Sequence, residues 1–327
     1  MSRRFAILAC VAAAALAVAG WATVRHYRSP TITPLLQARL DVASDRMQKT
    51  DLIQRLTAPP QVIILGGSRA LRFDPAYLQK RTGLTGFNAA VTGARPEDAW
   101  ALVSLFHARF PKARFRFLWV IHADEFDRRR LDPGLVYDTT LAGFFPPSLI
   151  TKQTHLAAAH LKIDHMQRGR VFAADGCVVH DGFDRMFPHP GSDARGVANN
   201  IRSALHLYAK SPAQLSQRSV LYFRKTLALM QSIAAAPPVV VSAPVDARIL
   251  AAVSNHGWSV RQGLVLRFLA GLHPRYRFSF ADFSDPATCG CTASDFFDGI
   301  HLRPSGAAKV IDAVLGGFPG TFPLVSG

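Results

Sequence analysis

The sequence of 327 residues predicts an α/β fold, a three-layer α/β/α sandwich built on a parallel sheet. Two observations lead to this prediction. Apolar, strand-like runs alternate with amphipathic helical stretches over most of the chain, as in sheets whose parallel strands are joined by helices. The composition is 49% hydrophobic, which is enough to bury a sizeable core and excludes an intrinsically disordered chain.

The predicted elements follow one another in a regular order. Short apolar or alternating runs, rich in β-branched and aromatic residues, predict strands over 61–66, 86–91, 114–121, 238–242 and 277–283. Amphipathic stretches predict helices over 76–82, 96–110, 213–236 and 304–315. Pro96 and Pro304 stand at helix starts, where proline is favoured because the first-turn N–H groups have no partner in the helix.

The alternation stops between residues 127 and 211, which are rich in Pro, Gly, His and Asp. Structureless loops of that length are uncommon in compact domains, so we predict an inserted subdomain there. The main domain is therefore expected to span residues 59–320 and to carry 127–211 as an insertion. Residues 29–58 are polar with helical patterning and predict a lead-in or stalk helix.

Residues 1–28 predict an export segment. Two arginines precede an uncharged, mostly apolar run from Phe5 to Val24, close to the roughly 20 residues that a membrane-spanning helix needs. Ala17 to Ala19 form an A-x-A cleavage pattern, so a removable signal peptide is the alternative to an anchor. Either interpretation places the main domain outside the cytoplasm.

The charge balance requires an anionic partner or surface. The chain has 38 Lys+Arg and 22 Asp+Glu, a net charge of +16. Export and the lack of any nucleic-acid motif exclude nucleic acid as the expected partner and favour an anionic membrane surface or an acidic glycan. Four cysteines without a C-x2-C pair predict neither a disulfide scaffold nor a zinc site, and we expect no metal and no cofactor.

Two short motifs carry the chemistry. Gly66-Gly67-Ser68 directly follows the first predicted strand, where α/β sheets place their ligands, although the same residues could cap a helix or cradle a phosphate. Asp298 and His301 form an Asp-x-x-His motif before the last predicted helix, although a surface turn would show the same spacing. Together they supply a serine, a base and a carboxylate to orient that base.

These motifs resemble those of the SGNH (GDSL-type) hydrolase superfamily. Gly66-Gly67-Ser68 matches its first block, Gly-Asp-Ser, with Gly in place of Asp. Gly93 matches the block-two glycine, and Asp298 with His301 matches block five. Block three, Gly-x-Asn-Asp, should follow the third strand, but residues 120–126 (VIHADEF) stand there without an Asn.

The resemblance implies a parallel, flavodoxin-like sheet and a role for each matched residue. Ser68 would be the nucleophile, His301 its base and Asp298 the group that orients the imidazole. Backbone N–H groups of Ser68 and Gly93 would stabilise the oxyanion.

Other residues are candidates because the block-three Asn is missing. Arg69, Asn88 or His122 could replace its donor or bind substrate, whereas Asp124 would fix the first-block loop or bind a sugar hydroxyl.

One branch of the superfamily is especially similar. Its membrane-anchored members have a Gly-x-Ser-Arg first block and act in cell-envelope polymer modification, including alginate-type O-acetylation and teichoic acid D-alanylation. This likeness implies acyl transfer or ester hydrolysis, of O-acetyl-type groups, on an envelope polysaccharide. It also implies a single-pass protein of the bacterial inner membrane with its domain in the periplasm, or a soluble periplasmic protein, with a multi-spanning membrane acyltransferase as a partner.

The alternative is an inactive SGNH-like envelope protein that binds polysaccharide or such an acyltransferase. Intact Ser68, Asp298 and His301 argue against this alternative, and the altered third block argues for it.

An oxidising compartment would allow one disulfide. Cys289 and Cys291 lie too close in the chain to bridge well, so we expect Cys177 to pair with one of them. Such a bond would tie the insertion to the Asp-x-x-His turn.

Overall fold

The structure, a computed structural model, describes residues 44–127, 130–158, 170–209 and 214–325. The predicted export segment and the first part of the predicted lead-in helix lie outside these residues. Within the described part of the chain, no helix has both the length and the hydropathy needed to cross a bilayer.

Five parallel strands form the central sheet. They are β1 (Val62–Gly66), β2 (Gly86–Asn88), β3 (Arg116–Ile121), β6 (Val239–Ser242) and β7 (Ser279–Asp282). Their order is β2-β1-β3-β6-β7, which is the flavodoxin-like order 2-1-3-4-5 when these strands alone are counted. The predicted parallel α/β fold is confirmed. A separate antiparallel hairpin joins β4 (Val171–Phe172) and β5 (Val178–His180).

The described α-helices surround this sheet. They are α1 (Asp45–Arg55), α2 (Pro75–Thr82), α3 (Pro96–Arg109), α4 (Pro133–Tyr137), α5 (Thr139–Ala142), α6 (Pro147–Ala158), α7 (Gly182–Met186), α8 (Ala194–Ala209), α9 (Gln217–Ile233), α10 (Ala247–Val253), α11 (Ser259–Ala270) and α12 (Pro304–Gly317). Those from α4 to α8 lie in the predicted insertion, which therefore has secondary structure of its own. The sequence predictions missed these helices, together with α10 and α11.

Helices cover both faces of the sheet because successive side chains of each strand point to opposite sides. Ile63 and Trp119 face α3, α9 and α11, whereas Ile64 and Val120 face α2 and α12. The Trp119 ring stacks on Phe223 of α9 with 4.3 Å between ring centroids. Burial on both faces explains why the strands read as continuous apolar runs in the sequence.

The described part of the predicted lead-in segment packs into the body rather than standing apart as a stalk. Ser44 caps α1 by accepting a hydrogen bond from the backbone N–H of Met47. Arg46 pairs with Asp98 of α3 at 2.7 Å, and both side chains are buried. Helix α1 is therefore held to the domain by buried ionic contacts as well as by the apolar side chain of Ile53.

The predicted disulfide from Cys177 to Cys289 or Cys291 is wrong: these three cysteines are free. Cys177 precedes β5, and its sulfur lies 3.9 Å from the carbonyl oxygen of Leu71. Cys289 and Cys291 lie instead beside each other, with 3.4 Å between sulfurs, and Cys291 also contacts Gly306 of α12. Burial raises the pKa of the Cys177 thiol to about 12, so this thiol stays protonated and unreactive.

Lys49 is a fully buried lysine on α1. Its ammonium group donates hydrogen bonds to the carbonyl oxygens of Asn88 and Gly176, and it lies 4.5 Å from the centroid of the Phe172 ring. This one side chain therefore joins α1, the end of β2 and the β4–β5 hairpin. Burial lowers the pKa of Lys49 to about 7, because desolvation disfavours the charged form.

The low pKa of Lys49 makes stability depend on pH. Between pH 7 and pH 10 the unfolded chain binds more protons at this position than the folded protein, so stability rises with pH. We expect the free energy of unfolding of the wild type to rise relative to that of Lys49→Met by up to about 1.4 kcal/mol per pH unit. Urea denaturation at pH 7, 8 and 9 measures this difference.

Lys80→Met, at an exposed lysine of α2, controls for the loss of a positive charge. Parallel pH curves for the wild type and Lys49→Met would contradict the expectation.

Candidate active site

The turn after β1 presents Ser68 at the carboxyl end of the sheet. Gly66 has a φ of +152°, and a Cβ there would lie 2.6 Å from the carbonyl oxygen of Val120, so only glycine fits. After Gly67 the chain enters a short 3-10 helix, Ser68–Ala70. Ser68 is thus half-buried at the edge where parallel α/β sheets bind ligands.

The Asp-x-x-His motif reaches Ser68 from the other end of the chain. His301 Nε2 lies 2.9 Å from Ser68 Oγ, and His301 Nδ1 lies 2.9 Å from Asp298 Oδ2. The three side chains therefore form one continuous line of hydrogen bonds across 233 residues of sequence separation. In this arrangement the imidazole can accept the serine proton while the carboxylate fixes its tautomer.

Backbone contacts hold the Asp298 carboxylate in place. Its Oδ1 accepts hydrogen bonds from the N–H groups of Ile300 and His301, at 3.0 and 2.9 Å. Burial alone would raise the pKa of Asp298, but the His301 ring and these N–H groups outweigh it and hold the pKa well below its usual range. Asp298 is thus kept ionised beside His301.

Helix α8 of the insertion packs directly on this turn. Asn200 donates a hydrogen bond to the carbonyl oxygen of Asp298 at 3.0 Å. A Cβ at Gly196 would lie 2.8 Å from the Cβ of Asp298, so glycine permits the close approach of the helix. The turn itself needs glycine at position 299, where φ is +85° and an added Cβ would lie 2.7 Å from the Ile249 side chain.

An aromatic cluster packs against the imidazole ring of His301. It consists of Phe183, Phe187 and Phe297, which are all buried. The Phe183 ring lies 4.3 Å from the His301 ring, centroid to centroid. Sequence reasoning missed Phe183 and Phe187, because both lie in the insertion and no local motif connects them to His301.

The loop that carries Gly93 is fastened by a buried carboxylate. Asp45 of α1 accepts hydrogen bonds from the Thr92 backbone N–H at 2.8 Å and from the Thr92 hydroxyl at 2.6 Å. Arg170 pairs with Asp45 at 2.7 Å, and its charge and the Thr92 hydrogen bonds outweigh burial to lower the pKa of Asp45. Gly93 itself is exposed, with a φ of +61° and open space around its Cα. Neither Asp45 nor Arg170 was predicted from the sequence to lie at the site.

Asn88 has a structural role, which corrects its prediction as a substrate-binding residue. It is fully buried, and its amide nitrogen donates hydrogen bonds to the carbonyl oxygens of Ala70, Leu71 and Phe73. Its side-chain oxygen accepts a hydrogen bond from the Ala90 N–H. The amide group is thus engaged in holding the chain that follows Ser68.

Three polar residues follow β3 where the third block should stand. Asp124 accepts a hydrogen bond from the Tyr208 hydroxyl at 2.8 Å and lies 3.6 Å from the Arg69 guanidinium. Burial raises the pKa of Asp124, but His122, Arg69 and Tyr208 together lower it well below its usual range. Asp124 therefore contacts Arg69 of the first-block turn, while its roles in fixing this loop and in binding a sugar hydroxyl stay predictions.

His122 lies between two carboxyl groups and against the first-block turn. Its Nδ1 is 3.5 Å from Asp124, and its Nε2 is 3.5 Å from the buried Glu125. A Cβ at Gly67 would lie 3.3 Å from His122 Nε2. Burial raises the pKa of Glu125 well above its usual range, which favours its neutral form.

The charge on Asp298 predicts a pH-dependent loss of stability in Asp298→Asn. Because the folded-state pKa is depressed, the carboxylate contributes stability that is complete above about pH 5 and declines as the pH falls below about 4. We expect Asp298→Asn to lower the free energy of unfolding by about 1–3 kcal/mol at pH 7, and the gap to narrow toward pH 3.

Urea denaturation at pH 7, 5 and 3 measures this gap. Asp285→Asn, which changes an exposed capping carboxylate near the same turn, is the matched control. A gap that stays constant over this pH range would contradict the assignment.

Comparisons with known proteins do not identify a family for this chain. No protein-family model matches the chain, and none of the curated proteins matches it. Among solved structures, the chain is similar to a Streptococcus pneumonia protein provisionally described as a platelet activating factor. The identity is 11% and the TM-score 0.40, over 83% of this chain and 90% of that chain, a likeness too distant to carry an argument.

Proposed function

We propose that the protein is a serine-dependent acyl hydrolase or acyltransferase of the SGNH type, with Ser68 as nucleophile. The observation that supports this most strongly is the hydrogen-bonded line from Ser68 through His301 to Asp298, with 2.9 Å at each link. The motifs around it resemble the first, second and fifth SGNH blocks, and the sheet order is the one that this resemblance implies. The geometry and the motifs thus support this reaction type, and the fold is compatible with it.

The proposed reaction proceeds in two steps. Ser68 Oγ attacks the acyl carbonyl carbon while His301 Nε2 takes the serine proton, and Asp298 stabilises the imidazolium that forms. His301 then gives this proton to the departing alkoxide as its bond to the acyl carbon breaks. The alkoxide leaves as an alcohol, and the acyl group remains on Ser68 as an ester. In the second step, water or an acceptor hydroxyl gives its proton to His301 and attacks this ester, and the proton returns to Ser68.

Two backbone N–H groups, of Ser68 and Gly93, are proposed to stabilise the oxyanion. Gly93 is suited to this because its surroundings are open and Asp45 holds the neighbouring Thr92. The block-three Asn is missing, and loss of one such donor costs about 100- to 1,000-fold in rate. Of the proposed replacements, His122 lies against Gly67, whereas Arg69 is held near Asp124.

The proposed substrate is an acyl ester of a cell-envelope polysaccharide. This rests on the resemblance to membrane-anchored envelope enzymes, on the apolar segment in residues 1–28 and on the net charge of +16, which suits an acidic polymer or an anionic membrane surface. The proposed location is the periplasmic face of a bacterial inner membrane, with a multi-spanning acyltransferase as acyl donor. Transfer and hydrolysis differ only in whether an acceptor hydroxyl or water reaches the acyl-enzyme.

Replacing the nucleophile tests the proposal. We expect Ser68→Ala to lower kcat for p-nitrophenyl acetate by about 1,000-fold or more, because the hydroxyl that forms the acyl ester is gone. Ser148→Ala, at an exposed serine of α6, is the matched control and should keep the wild-type rate. A Ser68→Ala rate above a tenth of the wild-type value would exclude Ser68 as the nucleophile.

A fluorophosphonate probe separates the enzyme from an inactive binding protein. The wild type and Ser148→Ala should be labelled, and Ser68→Ala should not. An unlabelled wild type would favour the alternative in which the fold only binds polysaccharide or a membrane partner.

A further inference from the structure

A cavity of about 120 Å³ is lined by neighbours of Ser68, His301 and Asp298. Three of its lining residues adjoin these three in different ways. Arg69 follows Ser68 in the chain, Ile300 precedes His301, and Asn200 holds the carbonyl oxygen of Asp298. The cavity is therefore formed between helix α8 of the insertion and residues that adjoin Ser68 and His301.

Most of the cavity wall is apolar. The apolar lining comes from α8, from α10 and its flanks, and from the Asp-x-x-His turn: Ala204, Leu207, Val245, Ile249, Val253, Trp258 and Ile300. Of the five polar lining residues, Asp124 accepts a hydrogen bond from Tyr208 and lies 3.6 Å from Arg69. Asn200 donates to the carbonyl oxygen of Asp298, and the fifth residue is Ser203. A sugar in this cavity would meet few open hydrogen-bond partners, whereas a hydrocarbon chain would leave water for an apolar wall.

Helix α8 of the insertion and the turn between α10 and α11 both contribute to the cavity wall. Helix α8 supplies Ala204, Leu207 and Tyr208, and the turn between α10 and α11 supplies Trp258. Gly257 in that turn has a φ of +90°, and a Cβ there would lie 2.6 Å from the carbonyl oxygen of Tyr208. Glycine at this position lets the turn close directly onto α8.

We propose that this cavity binds the acyl chain of the substrate and that the chain is an apolar group of about four to six carbons. The proposal rests on the proposed function, because it takes Ser68 as the site of acylation. The size follows from the volume: an apolar cavity of about 150 Å³ holds benzene, so about 120 Å³ suits slightly fewer heavy atoms. The preferred acyl group is then longer than the acetyl group that the family resemblance implies.

A series of p-nitrophenyl esters tests the chain length directly. Each methylene that enters the cavity should raise kcat/KM about three- to fourfold. With four methylenes more than acetate, hexanoate should therefore exceed acetate by about 80- to 250-fold, and octanoate should gain nothing further. Equal rates for acetate and hexanoate, or a steady fall with chain length, would overturn the proposal.

Filling the cavity tests its location. Ala204→Phe places a ring in the cavity, and we expect it to lower kcat/KM for hexanoate at least 10-fold while acetate stays within about threefold of wild type. Ala198→Phe, at an exposed alanine of the same helix, is the matched control and should behave like the wild type. The smaller Ala204→Leu should give an intermediate loss and covers the case in which Ala204→Phe fails to fold. An equal loss of kcat/KM for all esters would show that the acyl chain does not bind in this cavity.

A binding measurement separates this proposal from the proposed function. In Ser68→Ala, sodium hexanoate should quench the fluorescence of Trp258 and sodium acetate should not, and adding Ala204→Phe should abolish the quenching. If no ester is turned over but this pattern holds, the cavity proposal stands and the proposed function fails. If esters are turned over but hexanoate gives no quenching, the cavity proposal fails and the proposed function stands.

Discussion

The arrangement of Ser68, His301 and Asp298 depends on a constraint of the parallel sheet, which brings the carboxyl ends of all its strands to one edge. Ser68 follows β1, and the Asp298 turn lies between β7 at the far edge of the sheet and α12. Because helices return the chain after each strand, residues 233 positions apart in sequence meet within 2.9 Å. Glycine at position 66 and at position 299 then permits the two backbone turns that this meeting needs.

The polar interior around the site depends on pairing, since an unpaired buried charge is costly and removing one partner of a buried pair typically costs about 3–5 kcal/mol. Helix α1 places two buried charged side chains, Asp45 and Lys49, against the loops of the site. Asp45 holds Thr92 beside Gly93, and Lys49 holds the carbonyl oxygen of Asn88, whose side chain holds the chain after Ser68. Hydrogen bonds therefore link α1, at the start of the described chain, to the loop of Gly93 and to the turn of Ser68. These are the two loops proposed to form the oxyanion site.

The sequence was sufficient to predict the features that depend on local patterns. Strand β3 was predictable because burial on both faces demands an unbroken apolar run, and Ser68, Asp298 and His301 lie in short motifs beside predicted elements. The contacts of Asp45 with Arg170 join residues 125 positions apart, and those of Phe183 with His301 cross between the insertion and the final turn. Neither pair has a sequence spacing from which its contact could be predicted. The cysteine prediction failed for the same reason, because chain position did not show that Cys177 faces Leu71.

The central claim, that Ser68 carries the acyl group, is tested most directly by trapping the intermediate. The protein is mixed with p-nitrophenyl hexanoate, quenched in acid within the first turnover and digested, and the modified peptide is sequenced by mass spectrometry. We expect a mass increase of one hexanoyl group on Ser68, and none in Ser68→Ala. An acyl group on another residue, or unmodified protein during measurable turnover, would contradict it.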